Sequence, residues 1–472
     1  MATELHKKGT LEFTKHGSAF PPAFLLSAPI AGFHPIIIIT MSAAPHEYGV
    51  PTSPTATQQP SNNSNKEVGA ASEHSATSEP GRDVESSSSS TNNQGERKKR
   101  FGELSGVALI FACGASLFSD GYVNAISGPV TTIITGYLYQ DATAEEMSRF
   151  KTLFPSMAFV GTVIGMGSFG VLVDVVGRKW GMLICSIGLI IFSILAAGAW
   201  GARGTTGGLF AALIAYRFLI GIFIGGEYPA GSVSCAENTE QKNIKKNRQQ
   251  LWFVLATNSA IDVAFILAPF VALILLWICG TNHLEPVWRL ALGLGAIPPL
   301  SLLFFRTRMR EPDSFQNAAI KRNLPWGILV RHYWLRLTAV SLVWFCYDFV
   351  SYPSGIYSSY FTEQLFPDAS LYTSFAFSIA ISAFYLGTFL GAAVVDWWGP
   401  KFTIMFFLGV QAIFGFALSG SFGYLRNHPG GLIVMYGIYV AAGEAGPGNC
   451  LGLLASKAVA PTAIRGRMYG IA

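Results

Sequence analysis

The sequence predicts an all-α protein that crosses a membrane many times. Of its 472 residues, 51% are hydrophobic and only 12% are charged, whereas soluble domains carry about 25% charged residues. The apolar residues gather into segments of about 20, which is the length that a helix needs to cross a bilayer core about 30 Å thick. A third observation is that two of these segments end in similar short motifs, which indicates an internal duplication.

The composition argues against several other classes of protein. The net charge of +5 reflects where basic residues sit relative to a membrane, and it does not indicate nucleic-acid binding. The six cysteines lie in or beside apolar segments without metal-ligand spacing, so we expect reduced thiols and no metal site. No nucleophile–base set occurs at a useful spacing. We therefore expect neither an enzyme nor a bound cofactor.

We expect residues 1–100 to form a disordered cytoplasmic tail. From residue 42 onward this stretch is rich in Ser, Thr, Asn, Pro and Glu, so it cannot bury enough apolar surface to offset the entropy of ordering. The preceding segment FPPAFLLSAPIAGFHPIIIIT is apolar, but its prolines disfavour a helix. We hypothesise that Met41 is the natural start and that residues 1–40 are a gene-model artefact. Mass spectrometry of the N-terminus tests this hypothesis.

Ten apolar segments follow the tail, and each is long enough to span a membrane as a helix. They are residues 104–128, 152–173, 181–200, 208–231, 251–278, 288–305, 335–357, 371–395, 402–422 and 432–454. An eleventh segment begins near Gly466 and is cut off at Ala472. The pattern predicts an N-terminal six-helix bundle (101–305), a central loop (306–334) and an incomplete second bundle (335–472).

Basic residues concentrate in alternate connections between the predicted spans. ERKKR precedes the first span and RTRMR follows the sixth, whereas the opposite connections, such as QDATAEE and TEQLFPDAS, are poorer in Lys and Arg. The positive-inside rule therefore places the N-terminus and the central loop in the cytoplasm.

A short motif after the second span recurs after the eighth. DVVGRK begins at Asp174 and DWWGPK begins at Asp396, an offset that fits a repeat of six helices. Gly177 allows close backbone approach in the turn, and Asp174 can face a helix N-terminus in the same half or a basic neighbour. We expect the motif to hold one conformation of a gate. The alternative is that Arg178 and Lys179 only anchor the chain at the cytoplasmic face.

Several ionisable residues fall inside predicted spans. Each would cost about 2.5–3.5 kcal/mol at a bilayer centre, so we expect them to face a cavity, to pair with one another or to be protonated. They are Asp120, Arg217, Glu227, Asp262, Asp348 and Glu444. Glu227 and Glu444 could instead be interfacial, because the first lies near a helix end and the second in a glycine-rich stretch.

The seventh span carries an ordered set of polar and aromatic residues. Trp344, Asp348 and Tyr352 are spaced at i, i+4 and i+8, so they share one helix face. An aromatic stripe alone would indicate packing, but a carboxylate within it favours a cavity. Pro353 and Gly355 follow directly and predict a helix break, which is tolerated where a cavity satisfies the freed backbone groups.

The fourth and tenth spans bring polar groups to related positions. Glu227, Tyr228 and Pro229 follow two glycines, and adding the repeat offset to Glu227 gives Asn449. Two repeats that present polar groups at matching positions are expected to form a central site at their interface.

These residues resemble a known family. GVLVDVVGRK, from Gly170 to Lys179, is similar to the signature of the major facilitator superfamily, and Arg217 with Gly221 and Gly225 resembles its fourth-helix motif. GGEYPAGS resembles the fourth-helix signature of phosphate:proton symporters. Longer stretches, such as VWFCYDFVSYPSGIYSS and GEAGPGNCLGLLASK, resemble fungal glycerophosphoinositol permeases, and the resemblance runs from Gly106 to Ala472.

The resemblance implies two six-helix bundles and proton-coupled uptake of glycerophosphodiesters, such as glycerophosphoinositol or glycerophosphocholine, by alternating access. It implies a substrate site lined by Tyr228, Trp344, Asp348, Tyr352 and Asn449, with Asn258 or Asp262 where the symporters carry Gln on the fifth helix. A carboxylate in an anion site works when it is protonated as the substrate binds. The implied proton-coupling residues are Asp120, Glu227, Asp348 and Asp262, with Arg217 offsetting a nearby negative charge.

Two rival functions remain open at this point. The first is an inorganic phosphate:proton symporter, and the second is a nutrient sensor that does not transport. We expect a monomer in the plasma membrane whose partners are a small organic phosphate, protons and lipid. The family carries a substrate-binding Lys on its eleventh helix, beyond the last residue here. We therefore expect this chain to be a fragment or an incomplete gene model that does not transport as it stands.

Overall fold

The helices of the computed structural model follow the apolar segments of the sequence. The structure describes residues 106–240, 244–309, 326–356, 362, 365, 369–459 and 461–472, and within these ranges the regular structure is helical. The predicted tail (1–100) and the hypothesis about residues 1–40 lie outside the described residues.

Each predicted span of the first half contains a helix. The helices are α1 (Gly106–Gly114), α2 (Leu117–Ile133), α3 (Ala144–Val175), α4 (Arg178–Ala197), α5 (Thr206–Glu227), α6 (Val233–Thr239), α7 (Gln249–Ala256), α8 (Asn258–Cys279), α9 (Leu284–Gly293) and α10 (Ile297–Thr307). Several predicted spans are therefore two helices in series, joined by a short irregular step such as the turn between α7 and α8.

The second half is also helical at every predicted span. Its helices are α11 (Trp326–Ile356), α12 (Leu371–Ser382), α13 (Gly387–Leu425), α14 (Pro429–Gly443), α15 (Asn449–Lys457) and α16 (Arg465–Ile471). Residues 326–334, which the sequence assigned to the central loop, form the first turns of α11. The predicted break at Pro353 is absent, because α11 continues through this proline to Ile356.

Within the described ranges, seven helical stretches are long and apolar enough to cross a membrane. One of them, Leu371–Leu425, contains two of the predicted spans, which meet at Gly399 with a positive φ of 74°. The length and apolarity of these helices do not test the predicted number of ten complete spans, which stays a prediction.

Helices α3 and α5 pack with their backbones in direct contact. A side chain at Gly221 or Gly225 would collide with the carbonyl oxygen of Ala158 or Thr162. Small residues allow this close approach between membrane helices, where dispersion contacts take the place of a hydrophobic driving force. The glycines of the fourth-helix motif therefore explain a packing contact.

The two halves meet along several helix pairs. Helix α16 packs on α3, α13 packs on α7, and α12 packs on α8. The first half has its own aromatic core, in which Phe150 stacks on both Phe154 and Phe210. Two halves that contact each other along helix faces are the arrangement in which a site between repeats is built.

Candidate substrate cavity

One cavity between the two halves contains every residue predicted to bind substrate. The predicted residues in its lining are Tyr228, Asn258, Trp344, Asp348, Tyr352 and Asn449. Asp262, predicted to couple protons, lines the same cavity. The sequence pattern therefore identified residues from both halves that the fold brings together.

Asp120 reaches the cavity through two tyrosines. The Tyr228 hydroxyl donates a hydrogen bond to the Asp120 carboxylate and lies 3.1 Å from the Tyr352 hydroxyl. Asn124 donates to the other Asp120 oxygen at 2.6 Å. Asp120 is buried, with 2% of its surface exposed. Tyr228 and Tyr352 come from different halves, so this chain of hydrogen bonds joins the halves at the cavity wall.

Arg217 is buried near Asp120 and donates mainly to backbone carbonyls. Its guanidinium nitrogens lie 2.7 Å from the Val123 oxygen and 3.2 Å from the Phe154 oxygen. Its Nη2 atom has no hydrogen-bond partner among the described residues. The Arg217 charge is therefore held within the first half, and it attracts the Asp120 carboxylate electrostatically.

Asn449 belongs to a second group of hydrogen-bonded polar residues at the cavity. Its side-chain nitrogen donates to the Thr388 carbonyl at 2.8 Å, and the Thr388 hydroxyl donates back to its oxygen at 2.7 Å. The Asn258 amide nitrogen lies 2.9 Å from Asp262, 3.1 Å from Asn449 and 3.3 Å from Glu444. Asn258 therefore connects Asp262 in the first half to Glu444 and Asn449 in the second.

A turn of π-helix interrupts the fourth and the tenth span at the cavity. These turns are Tyr228–Ser232 and Glu444–Gly448. Such insertions change the direction in which side chains point and are frequent at functional sites. Glu227 lies directly before the first turn and Glu444 begins the second, so a glutamate lies at the start of each turn. The predicted correspondence between Glu227 and Asn449 stays a prediction.

Glu227 does not line the cavity, and an arginine binds both of its oxygens. Arg306 donates to them at 2.6 and 2.8 Å, and Ser116 donates at 2.8 Å. Both Glu227 and Arg306 are almost completely buried. The basic run RTRMR predicts that Arg306 begins the central loop. This prediction is wrong, because the Arg306 side chain lies in the interior of the bundle.

The repeated aspartates bind helix starts across the two halves. Asp174 contacts Arg178 at 2.6 Å and accepts hydrogen bonds from the backbone nitrogens of Gly466 and Arg467 in the other half. Asp396 accepts from the backbone nitrogens at positions 250 and 251, at 3.1 and 3.0 Å. Asp174 thus contacts a basic neighbour, as expected, and a helix start in the other half, whereas we had expected one in its own half.

The rest of the motif supports this contact. Gly177 has a φ of 121°, which requires glycine in practice. Gly170 lies against the backbone of α16, so a side chain there would meet the Gly466 carbonyl oxygen. Lys179 donates to the Thr307 carbonyl at 2.8 Å. Gly170, Gly177 and Arg178 therefore have packing roles beyond charge alone.

The predicted site lacks several residues that the structure places at the cavity. Tyr347 and Glu444 are among those that line it, and Thr388 fixes Asn449 from α13. The recurrence of Gly-Glu at 226–227 and 443–444 could have identified Glu444. Within the described ranges, no group of His, Cys, Asp or Glu has the arrangement of a metal site.

Comparison with known proteins gives consistent matches over the helical part. The sequence profile of the sugar (and other) transporter family matches residues 107–322 and 312–472. The chain is 42% identical to the major glycerophosphoinositol permease GIT3 of Candida albicans over 371 residues, 77% of this chain and 67% of that protein. It is also 42% identical to the glycerophosphocholine permease GIT4 of the same organism, over 78% of this chain and 69% of that protein.

A solved structure shows the same fold. The proton:xylose symporter XylE of E. coli matches with a TM-score of 0.61 and 20% identity, over 78% of this chain and 84% of that one. The all-helical fold expected from the sequence is therefore confirmed.

Proposed function

The chain belongs to the sugar (and other) transporter family of the major facilitator superfamily, and from this membership we propose that it takes up glycerophosphodiesters by proton-coupled alternating access. The relatives of 42% identity are named for glycerophosphoinositol and glycerophosphocholine. The observation that carries the proposal is the cavity between the halves, which contains six polar or aromatic residues at positions matching the family motifs.

The cavity supplies the contacts that a phosphodiester needs. Tyrosine hydroxyls donate hydrogen bonds to phosphate oxygens, and Tyr228 and Tyr352 carry such donors. Trp344 lies edge-on to Tyr469, with ring centroids 5.8 Å apart, and offers a flat apolar surface to the organic part of the substrate.

The hydrogen bond between Tyr228 and Asp120 links a proton to the substrate. The Tyr228 hydroxyl has one proton, which it donates to Asp120 in the structure. When Asp120 is protonated it no longer requires this donor, and the hydroxyl proton is free to bind a phosphate oxygen. Asp348, also in the cavity wall, is the second proposed proton carrier. Proton uptake then favours binding of the anion, as symport requires.

The remaining predicted carriers have different parts in the proposal. Glu227 is left out, because Arg306 and Ser116 already hold its oxygens. Arg217 acts on Asp120 through its charge. The contacts of Asp174 and Asp396 across the halves break when the site opens at that end of the bundle, which makes them the proposed gate.

The finer topology is part of the same proposal. The described helices correspond to ten spans and the first turns of an eleventh, arranged as two bundles related by the internal repeat. We place the N-terminus in the cytoplasm and the monomeric protein in the plasma membrane. The basic connections between the spans and the names of the relatives support this assignment.

An uptake experiment tests the proposal. Cells of a permease-deficient yeast express the chain, or Asp348→Asn, and receive labelled glycerophosphoinositol, glycerophosphocholine or phosphate at several external pH values. We expect accumulation of a diester that increases as the external pH falls, and a loss of about tenfold or more in Asp348→Asn, since only the proton cycle requires an ionisable group there. Asp141→Asn, the same change at an exposed position, is the control and should behave as wild type.

Diester accumulation supports the proposal. Uptake that does not respond to external pH would contradict proton coupling. Accumulation of phosphate without either diester would favour an inorganic phosphate symporter, and signalling without uptake would favour a sensor.

A further inference from the structure

One side of the cavity has an excess of negative charge. Three of its lining residues, Asp262, Asp348 and Glu444, are acidic, and the described lining contains no Lys, Arg or His. Asp262 and Glu444 both lie within 3.3 Å of the same Asn258 amide nitrogen, so their carboxyl groups are close neighbours. Charges buried together in this way require compensation by a proton or by a cation.

The same place has too few hydrogen-bond donors. The Asn258 amide carries two protons, yet four acceptors lie within reach of its nitrogen. They belong to Asp262, Thr388, Glu444 and Asn449. Asn449 takes a further donor from Thr388, which leaves Asp262 and Glu444 to share what remains. A ligand that adds positive charge here would complete the cluster.

A buried hydroxyl lies beside the acids without a well-formed hydrogen bond. The Tyr347 side chain lines the cavity and is 9% exposed. Its hydroxyl lies near Glu444 and Ser351, but neither contact has the geometry of a good hydrogen bond. This hydroxyl, the Glu444 carboxylate and the Asn258 amide all lie around Gly448. Buried polar atoms without a well-formed hydrogen bond are rare in folded proteins and favour a bound water, ion or ligand.

Aromatic rings complete the surroundings of these acids. Phe265 and Tyr385 both line the cavity and stack with centroids 5.1 Å apart, and Tyr347 adds a third ring. Aromatic faces together with carboxylates bind organic cations, including quaternary ammonium groups, whereas a neutral polyol gains no cation–π attraction.

We propose that Asp262, Glu444 and Tyr347 form a headgroup subsite that binds the positively charged amino alcohol of a zwitterionic glycerophosphodiester, of which choline and ethanolamine are the common forms. This assignment rests on the proposed function. The donors Tyr228 and Tyr352 belong to the separate hydrogen-bond group around Asp120, so phosphate and cation have different partners. The subsite favours a diester with a charged headgroup over one with a neutral inositol.

Equilibrium binding to the purified full chain in nanodiscs tests the subsite. The probes are radiolabelled glycerophosphocholine and glycerophosphoinositol, and unlabelled tetramethylammonium is the competitor. We expect Glu444→Gln and Asp262→Asn each to weaken glycerophosphocholine binding by about tenfold or more while glycerophosphoinositol binding changes by less than about threefold, because only the first ligand loses a charge partner. Tetramethylammonium should displace glycerophosphocholine from the wild type at lower concentrations than from Glu444→Gln.

Retained glycerophosphoinositol binding shows that a variant is folded, and Glu145→Gln, an exposed carboxylate with 75% of its side-chain surface accessible, is the matched control. An equal loss for both ligands overturns the subsite. A wild type that binds glycerophosphoinositol but not glycerophosphocholine overturns it too and leaves the proposed function standing. A wild type that binds neither diester overturns both.

Discussion

The two halves of the chain carry acidic residues in similar sequence patterns but surround them differently. In the first half, Asp174 pairs with Arg178 and Glu227 pairs with Arg306, each at 2.6 Å. In the second half, Asp396 of the repeated motif and Glu444 at the second π-turn form no ion pair with any described residue. A buried carboxylate with an arginine holds one arrangement of helices, whereas one without a cation remains available to a proton or a ligand.

The sequence explains one of these differences directly. Arg178 lies four residues after Asp174, and the equivalent position after Asp396 is Pro400. Asp396 therefore receives its hydrogen bonds from backbone nitrogens alone. Both motifs bind the start of a helix in the other half, but only the first also neutralises the charge.

The largest expected effect separates the two glutamates. Glu227→Gln removes the charge that compensates Arg306, and breaking a buried ion pair from one side costs about 3–5 kcal/mol of the free energy of unfolding. We expect a strong fall in thermal stability and in the amount of folded protein in the membrane. Fluorescence-detected gel filtration after heating measures both quantities.

A second variant shows whether the unpaired charge is the cause. Glu227→Gln combined with Arg306→Met leaves no unpaired cation at this position, so most of the lost stability should return. If the single variant is as stable as wild type, Glu227 is not a structural partner of Arg306, and its predicted role as a proton carrier regains support.

The repeated aspartates should differ by a smaller amount. Asp174→Asn weakens a charged contact with Arg178 and two backbone hydrogen bonds, and hydrogen bonds to charged groups contribute about 1.5–3 kcal/mol. Asp396→Asn affects backbone contacts alone at a half-buried position, so we expect about 0.5–1.5 kcal/mol. Thermal unfolding of the two variants in the same detergent gives the comparison. Equal losses would mean that Arg178 adds nothing to the gate.

The sequence predicted the helical fold and seven residues of the cavity lining, because both depend largely on patterns with a clear period. The apolar segments located the helices, and the spacing of Trp344, Asp348 and Tyr352 placed them on one helix face. Their partners in the other half came from polar residues beside glycine and proline, such as Tyr228. These residue types are unusual enough in a membrane span to identify a site.

Features that depend on side-chain pairing or on local irregularity were not predictable. Arg306 lies in a basic run that resembles a cytoplasmic anchor, and only the tertiary structure shows it buried beside Glu227. The π-turns beside Glu227 and Glu444 are a second example, because a local change in helical hydrogen bonding leaves no periodic pattern in the sequence.

The smallest expected effect is a change in stability in the opposite direction to that of Glu227→Gln. Glu444→Gln makes the same chemical change as Glu227→Gln beside the π-turn of the second half, but no described cation loses a partner. The glutamine retains an acceptor for Asn258 and removes repulsion from Asp262, so the ligand-free protein should be between unchanged and about 1 kcal/mol more stable. The same heated gel filtration that measures Glu227→Gln records this difference. A loss as large as that of Glu227→Gln would show that Glu444 is a structural residue as well, and the contrast between the two halves would then fail.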